Sequence, residues 1–159
     1  MAKVKGGNKH LQRSLIPKSS ATLKQETTFL NKNFAEMDGW KDDGDKANVF
    51  LSTRYIQHKY ECFSDWSKSE MKLFWEFQEL VSSMTWEQVY QTGRKKQKNG
   101  VAYTPIPKKT YPKSKFLNVL SPDITLFELR VSQKSRVHGF RNGPVFYVCW
   151  LDKGHKICG

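Results

Sequence analysis

The sequence has no long apolar run: nothing in it approaches the roughly 20 consecutive apolar residues of a membrane-spanning helix, so no membrane span is expected. It also lacks a Walker-type glycine loop, a dinucleotide-binding glycine pattern, a paired CxxC and an HExxH. ATP, NAD and the commoner zinc chemistries therefore have no local support, and neither a cofactor nor a metal is expected. Cysteine is scarce and odd in number, with Cys62, Cys149 and Cys158 widely spaced. Three scattered thiols suit a reducing compartment better than a disulfide framework. His155 and Cys158 with a distant Cys62 or His58 make the one zinc set the spacing offers, and a weak one. The basic start is not followed by an apolar stretch, which argues against secretion and for the cytoplasm.

Acidic residues are in short supply: 15 Asp and Glu face 27 Lys and Arg, a formal charge of +12. Such an excess repels itself, and a polyanionic partner is its commonest explanation, nucleic acid ahead of a membrane surface. The chain of 159 residues, 38% hydrophobic, is long enough for one domain with its own core. Residues 1–45 differ from the rest. Lys3, Lys5, Lys9, Arg13, Lys18 and Lys24 are scattered among Gly, Asn, Ser and Thr, which reads as a flexible basic N-terminal arm able to grip phosphates without reading sequence. The folded domain is expected over 46–159. Asp42, Asp43 and Asp45 miss the spacing of a calcium loop and read as a solvated turn.

Within that domain, Ile56, His58, Tyr60 and Cys62 alternate with Gln57, Lys59 and Glu61, a period of two that predicts a strand over part of 54–62. His58 there reads as a sheet-face residue with a local hydrogen bond. Ser67 and Glu70 form a capping box ahead of Leu73, Phe74, Phe77, Leu80, Val81 and Met84, spaced by three and four, which predicts an amphipathic helix. Thr85 and Gln88 repeat the cap and Gly93 supplies a stop, so a second, short helix carrying Trp86, Val89 and Tyr90 follows. Arg94, Lys95 and Lys96 open a long connection whose Pro105, Pro107 and Pro112 keep it extended and out of a central sheet. Its Lys108, Lys109, Lys113 and Lys115, interleaved with Tyr103, Tyr111 and Phe116, form a candidate surface for phosphates and stacked bases.

The last third reads as an antiparallel meander. Phe127, Leu129 and Val131 alternate with Glu128, Arg130 and Ser132; Arg136, His138 and Phe140 alternate with Val137, Gly139 and Arg141; and 145–151 is apolar on both faces. The third strand is expected to be interior and covered by helices on at least one side. The result is a sheet with one apolar face and a second face where Arg130, Arg136 or Arg141, and His138, collect. Asp152, Lys153 and His155 follow where the sheet runs out.

This order of elements, with Leu129-Arg130 on one strand, Arg136 opening the next and Asp152-Lys153-Gly154-His155-Lys156 ending the last, resembles the RelE/HigB/ParE superfamily of small toxins over about residues 48–156. The resemblance implies an α+β fold, a small antiparallel sheet with a two-helix hairpin packed on one face. It also implies an antitoxin protein as partner. In the RelE and HigB branches it implies a metal-independent endoribonuclease that cleaves messenger RNA, in some members on the ribosome; the ParE branch acts on gyrase. By position on the matching strands, Arg130 and Arg136 would clamp phosphate and His155 would transfer protons. Arg141, Lys134 and Tyr147 are second choices, and Lys153, Arg94, Lys95 and Lys96 would add RNA contacts. The chain departs from the family by its N-terminal arm, its proline- and lysine-rich connection and the lack of a terminal tyrosine. A non-catalytic basic protein that binds nucleic acid, ribosome or gyrase on the same fold is the alternative.

Overall fold

The computed structural model describes residues 43–93 and 100–159. The arm expected over 1–45 lies outside them up to residue 42, as do Arg94, Lys95 and Lys96. Five strands form: β1 (Phe50–Ser52), β2 (Thr104–Pro105), β3 (Leu126–Arg130), β4 (Arg136–Asn142) and β5 (Val145–Asp152). They make one sheet in the order β1-β5-β4-β3-β2. The last three strands are where the alternation put them. Pro105 sits on the edge strand, where its missing N–H costs no ladder bond.

Two expectations need correction. The sheet is mixed and not wholly antiparallel, because β1 runs parallel to β5, with Phe50 opposite Val145 and Ser52 opposite Tyr147. A parallel pair needs a crossover, and everything between β1 and β5, helices included, provides it. The second correction is the strand over 54–62, which does not form. β1 already takes the edge beside β5, and the chain after it wraps around that edge, with Ile56 packed on the core of one face and Tyr55 on that of the other. Its amides bond locally or to one sheet carbonyl: Ile56 N–H to Thr53, Tyr60 N–H to Gln57 at 2.9 Å and Gln57 N–H to Cys149 at 2.7 Å. Inside-outside alternation here comes from a wrapping turn, and His58 is an exposed turn residue.

The helical caps are realised as the sequence indicates. Helix α1 (Lys68–Ser82) begins with Ser67 Oγ accepting from Glu70 N–H while the Glu70 carboxylate accepts from Ser67 N–H at 2.7 Å. Helix α2 (Trp86–Gln91) repeats this reciprocal pair with Thr85 and Gln88. Phe74, Phe77 and Val81 of α1 and Trp86 and Val89 of α2 are buried in one core with Phe127, Leu129, Val137, Phe146, Val148 and Leu151 of the sheet. Leu73 and Leu80, which share the helical spacing, stay largely exposed. Trp86 is fully buried and its indole N–H donates to the Pro144 carbonyl at 3.0 Å, tying α2 to the turn between β4 and β5.

The opposite face is covered by the wrapping turn and by the long connection, which holds a short helix α3 (Lys115–Val119) capped by Ser114. Tyr111, Leu117, Leu126, Phe140, Cys149, Trp150 and Ile157 form its core. A register shift between His138 and Gly139 lets Cys149 and Trp150 both face this side. Gly139 is required there: a Cβ on it would stand 1.8 Å from the Tyr147 carbonyl oxygen. No helix among the described residues is long and apolar enough to cross a membrane.

Candidate functional site

The register of the last three strands assembles a polar cluster on this second face. Glu128 stands opposite His138, Arg130 opposite Arg136, and Arg136 opposite Asp152. Alternation sends all of them to one side of the sheet, and the turn after β5 brings His155 and Cys158 over them. Glu128 is the hub. Its Oε1 lies 3.7 Å from Arg136 Nε, and its Oε2 lies 3.3 Å from His155 Nε2 and 3.8 Å from His138 Nε2. His138 Nε2 is also 3.4 Å from Asp152 Oδ2, and its Nδ1 is 3.3 Å from the Tyr111 hydroxyl.

The cluster is mostly interior: Glu128 and Arg136 are each 7% exposed, His138 fully buried and Asp152 nearly so. Asp152 accepts from the backbone N–H groups of Lys156 and Ile157 at 2.7 and 2.8 Å, which fixes the turn. Burial raises the Asp152 carboxyl, but contact with His138 and those two amides outweigh it and leave the pKa below its ordinary value. Burial lowers the Arg136 guanidinium, with Glu128 pulling it back up and the neighbouring Arg130 pushing it further down. Burial, followed by the fields of Glu128 and Asp152, pushes the Cys158 thiol up to about 11. Four buried polar atoms among the described residues lack a hydrogen-bond partner, and all belong to this cluster: Glu128 Oε2, Arg130 Nε, His138 Nε2 and His155 Nε2.

The sequence-derived residues divide sharply. Arg136 and His155 do come together around Glu128, and Arg130 stands on the same face as the register partner of Arg136. Arg136 points inward and donates to the carbonyls of Ser132 at 2.8 Å and Ser135 at 3.0 Å, whereas Arg130 and His155 keep part of their surface in solvent. Arg141 lies on the other face, over the Trp86 ring at 4.6 Å, bonded to Asp45, the Gly44 and Gly143 carbonyls and the Tyr90 hydroxyl. Tyr147 stacks on Phe140 in the apolar half of the second face. Lys134 is exposed in the β3–β4 turn, and Lys153 donates its backbone N–H to the Glu61 carboxylate and its ammonium to the Asp65 carbonyl. Cys62 heads the 3-10 turn Phe63–Asp65; the zinc set proposed around it does not form, and Cys158 instead has Glu128 and His138 as neighbours.

Beside the cluster runs a groove of about 670 Å³ lined by Lys59, Lys113 and Lys115 together with Tyr60, Phe116 and Trp150. Of the aromatics expected to stack on bases, only Phe116 lines it. Tyr111 is buried against Trp150, and Tyr103 packs between Tyr90 and Phe127 on the helix side. Tyr60 lines the groove, and burial, then the fields of Asp152, Glu61 and Cys158, push its hydroxyl up to about 12.

Sequence reasoning missed the role of Glu128, expected Tyr111 to stack on bases where it lies against His138, and named Lys113, Lys115 and Phe116 of the groove without the wall that the wrapping turn supplies. The signal for Glu128 was available, because a hairpin turning at 133–135 pairs it with His138 by register alone. The fold and site define an α+β protein with a buried acid–imidazole cluster at one end of a mixed sheet. Compared with protein families, curated proteins and solved structures, the chain matches none.

Proposed function

We propose that the protein binds single-stranded RNA in the basic, aromatic groove and cleaves it as an endoribonuclease of the toxin type, using the adjoining cluster. What carries the reading is one juxtaposition. A groove with three lysines and three aromatic rings, suited to a phosphate backbone and stacked bases, meets at Trp150, the register partner of His138, a cluster that holds imidazole, carboxylate and guanidinium groups. RNA carries its own nucleophile. The 2′-oxygen bonds to phosphorus as the P–O5′ bond breaks, leaving a 2′,3′-cyclic phosphate and a 5′-hydroxyl. The reaction needs one group to take the 2′-proton, one to protonate the leaving oxygen and a cation for the phosphorane. His155, partly exposed and braced by Glu128, is the proton-transfer group, and Arg130 is the phosphate clamp. Arg136 holds Glu128 from behind. On this reading the two helices form the hairpin of a RelE-like scaffold, and an antitoxin protein is the natural partner.

The test is incubation of the full chain with a single-stranded RNA, free and on translating ribosomes, with analysis of the ends. Cyclic-phosphate products, lost on 2′-deoxy substitution at the cleaved position and reduced at least about 100-fold in His155→Ala and Arg130→Ala, are expected. RNA left whole in both settings by folded protein refutes the enzyme.

Binding without cleavage, to RNA, a ribosome or gyrase, is the second reading. It is favoured by the burial of His138 and Arg136, which reserves those groups for the interior. Its mark is affinity that survives in His155→Ala with no products in the wild type.

A further inference from the structure

Three atoms of the kinds that ligate zinc meet beneath the turn that follows β5. One ligand atom from each of Glu128, His138 and Cys158 lies within 4.8 Å of the others, and Glu128 Oε2 and His138 Nε2 are 3.8 Å apart. A tetrahedral ion with bonds of about 2.0–2.3 Å sets its ligand atoms about 3.3–3.8 Å from each other, so small rotamer shifts would close the set. Two of the three residues carry a buried atom that makes no hydrogen bond, Glu128 Oε2 and His138 Nε2; each has only ion-pair neighbours, the nearest being His155 Nε2 at 3.3 Å and Asp152 Oδ2 at 3.4 Å, so a bound cation would satisfy both.

We propose that Glu128, His138 and Cys158 bind a zinc-type divalent ion that fastens the turn after β5 to the sheet. The donor set selects the ion: a thiolate and an imidazole suit zinc and its transition-metal neighbours, whereas calcium and magnesium require oxygen ligands. The supporting layer is of the right kind. Tyr111 at Nδ1 of His138 fixes the ring and leaves Nε2 facing the other donors, and Arg136 holds the second oxygen of Glu128. His138 is fully buried, which suits a structural ion, and Asp152 Oδ2, 3.4 Å from His138 Nε2, stands where a fourth ligand would close the set. The inference does not depend on RNA cleavage.

The full chain, purified without chelator, should carry about one equivalent of zinc. After chelation and reloading with Co2+ it should show the absorption of tetrahedral cobalt with a thiolate charge-transfer band. Reloading the chelated chain with Zn2+ should raise its melting temperature by more than about 5 °C. Cys158→Ser, at a partly exposed position, should fold but lose the charge-transfer band and most of the thermal shift, and Cys62→Ser should keep both. A folded wild type with neither metal nor cobalt spectrum overturns the proposal. A cobalt–thiolate band that persists in Cys158→Ser overturns it equally, by placing the ion elsewhere.

Discussion

The Tyr111 hydroxyl lies 3.3 Å from Nδ1 of His138, deep under the connection that covers the second face of the sheet. One residue comes from a loop and the other from the middle of β4, so the contact ties the covering segment to the strand whose imidazole it orients. Tyr111→Phe keeps the ring packed on Trp150 and removes only the oxygen. It should cost about 1 kcal/mol in urea unfolding and weaken cobalt binding, as read by titration of the chelated protein.

Gly139→Ala should be among the most damaging single changes available. Its methyl would collide with the backbone oxygen of Tyr147, which no side-chain rotation relieves. A loss of more than about 3 kcal/mol, or failure to accumulate folded protein, is expected by denaturant titration.

Arg141 serves the opposite face, where it lies over Trp86 and reaches Asp45. Arg141→Ala should cost about 1–3 kcal/mol. A double-mutant cycle with Asp45→Ala should return only the exposed ion pair, under about 1 kcal/mol. RNA affinity should fall by no more than one cation's share.

Lys113→Glu with Lys115→Glu removes charge from the groove without touching either core. Binding of single-stranded RNA should weaken, and the slope of log affinity against log salt should flatten by about 2. An unchanged slope would move the RNA path to another surface.

Glu70 gives the pH prediction. Hydrogen bonds from the Ser67 amide, then from its hydroxyl, hold the Glu70 carboxyl below its ordinary pKa. Between that ordinary value and the depressed folded one the unfolded chain binds the extra proton, so stability rises with pH through this window. The cap's contribution is complete above the ordinary value and lost as acid protonates the folded carboxyl. Glu70→Gln should remove that acid-sensitive component of helix α1, measured by circular dichroism down the pH scale, while Ser67→Ala should cost about 1 kcal/mol at neutral pH.

What could be read in the sequence was whatever is decided locally. The two capping boxes at Ser67 and Thr85, and the alternation of Phe127, Leu129 and Val131, each fix an element through neighbours a few residues away. The partner of β1 and the path of 54–62 depend on which distant edge is free, and alternation is the same for a strand and for a turn wrapping that edge. The site was half legible for the same reason. Arg130, Arg136 and His155 were found on polar positions near the end of the sheet. Glu128 was passed over, and His138, placed on the right face, was not expected to be interior, because a polar strand face reads as solvated until something covers it, and the cover, Tyr111 with the wrapping turn, comes from loops without a period. Arg141 shows the reverse error. Its place on β4 was clear, but the carbonyls, acid and rings that claim it lie far away in sequence.

The parallel seam between Phe50–Ser52 and Val145–Tyr147 has a bearing on vectorial synthesis. The nascent polypeptide makes one side of that seam first and must carry it unmatched until Val145–Tyr147 has emerged. Throughout that interval Phe74, Phe77 and Val81 have only part of their eventual covering, so release of a chain stopped short of Val145 exposes a sticky helix where the finished molecule has an interior.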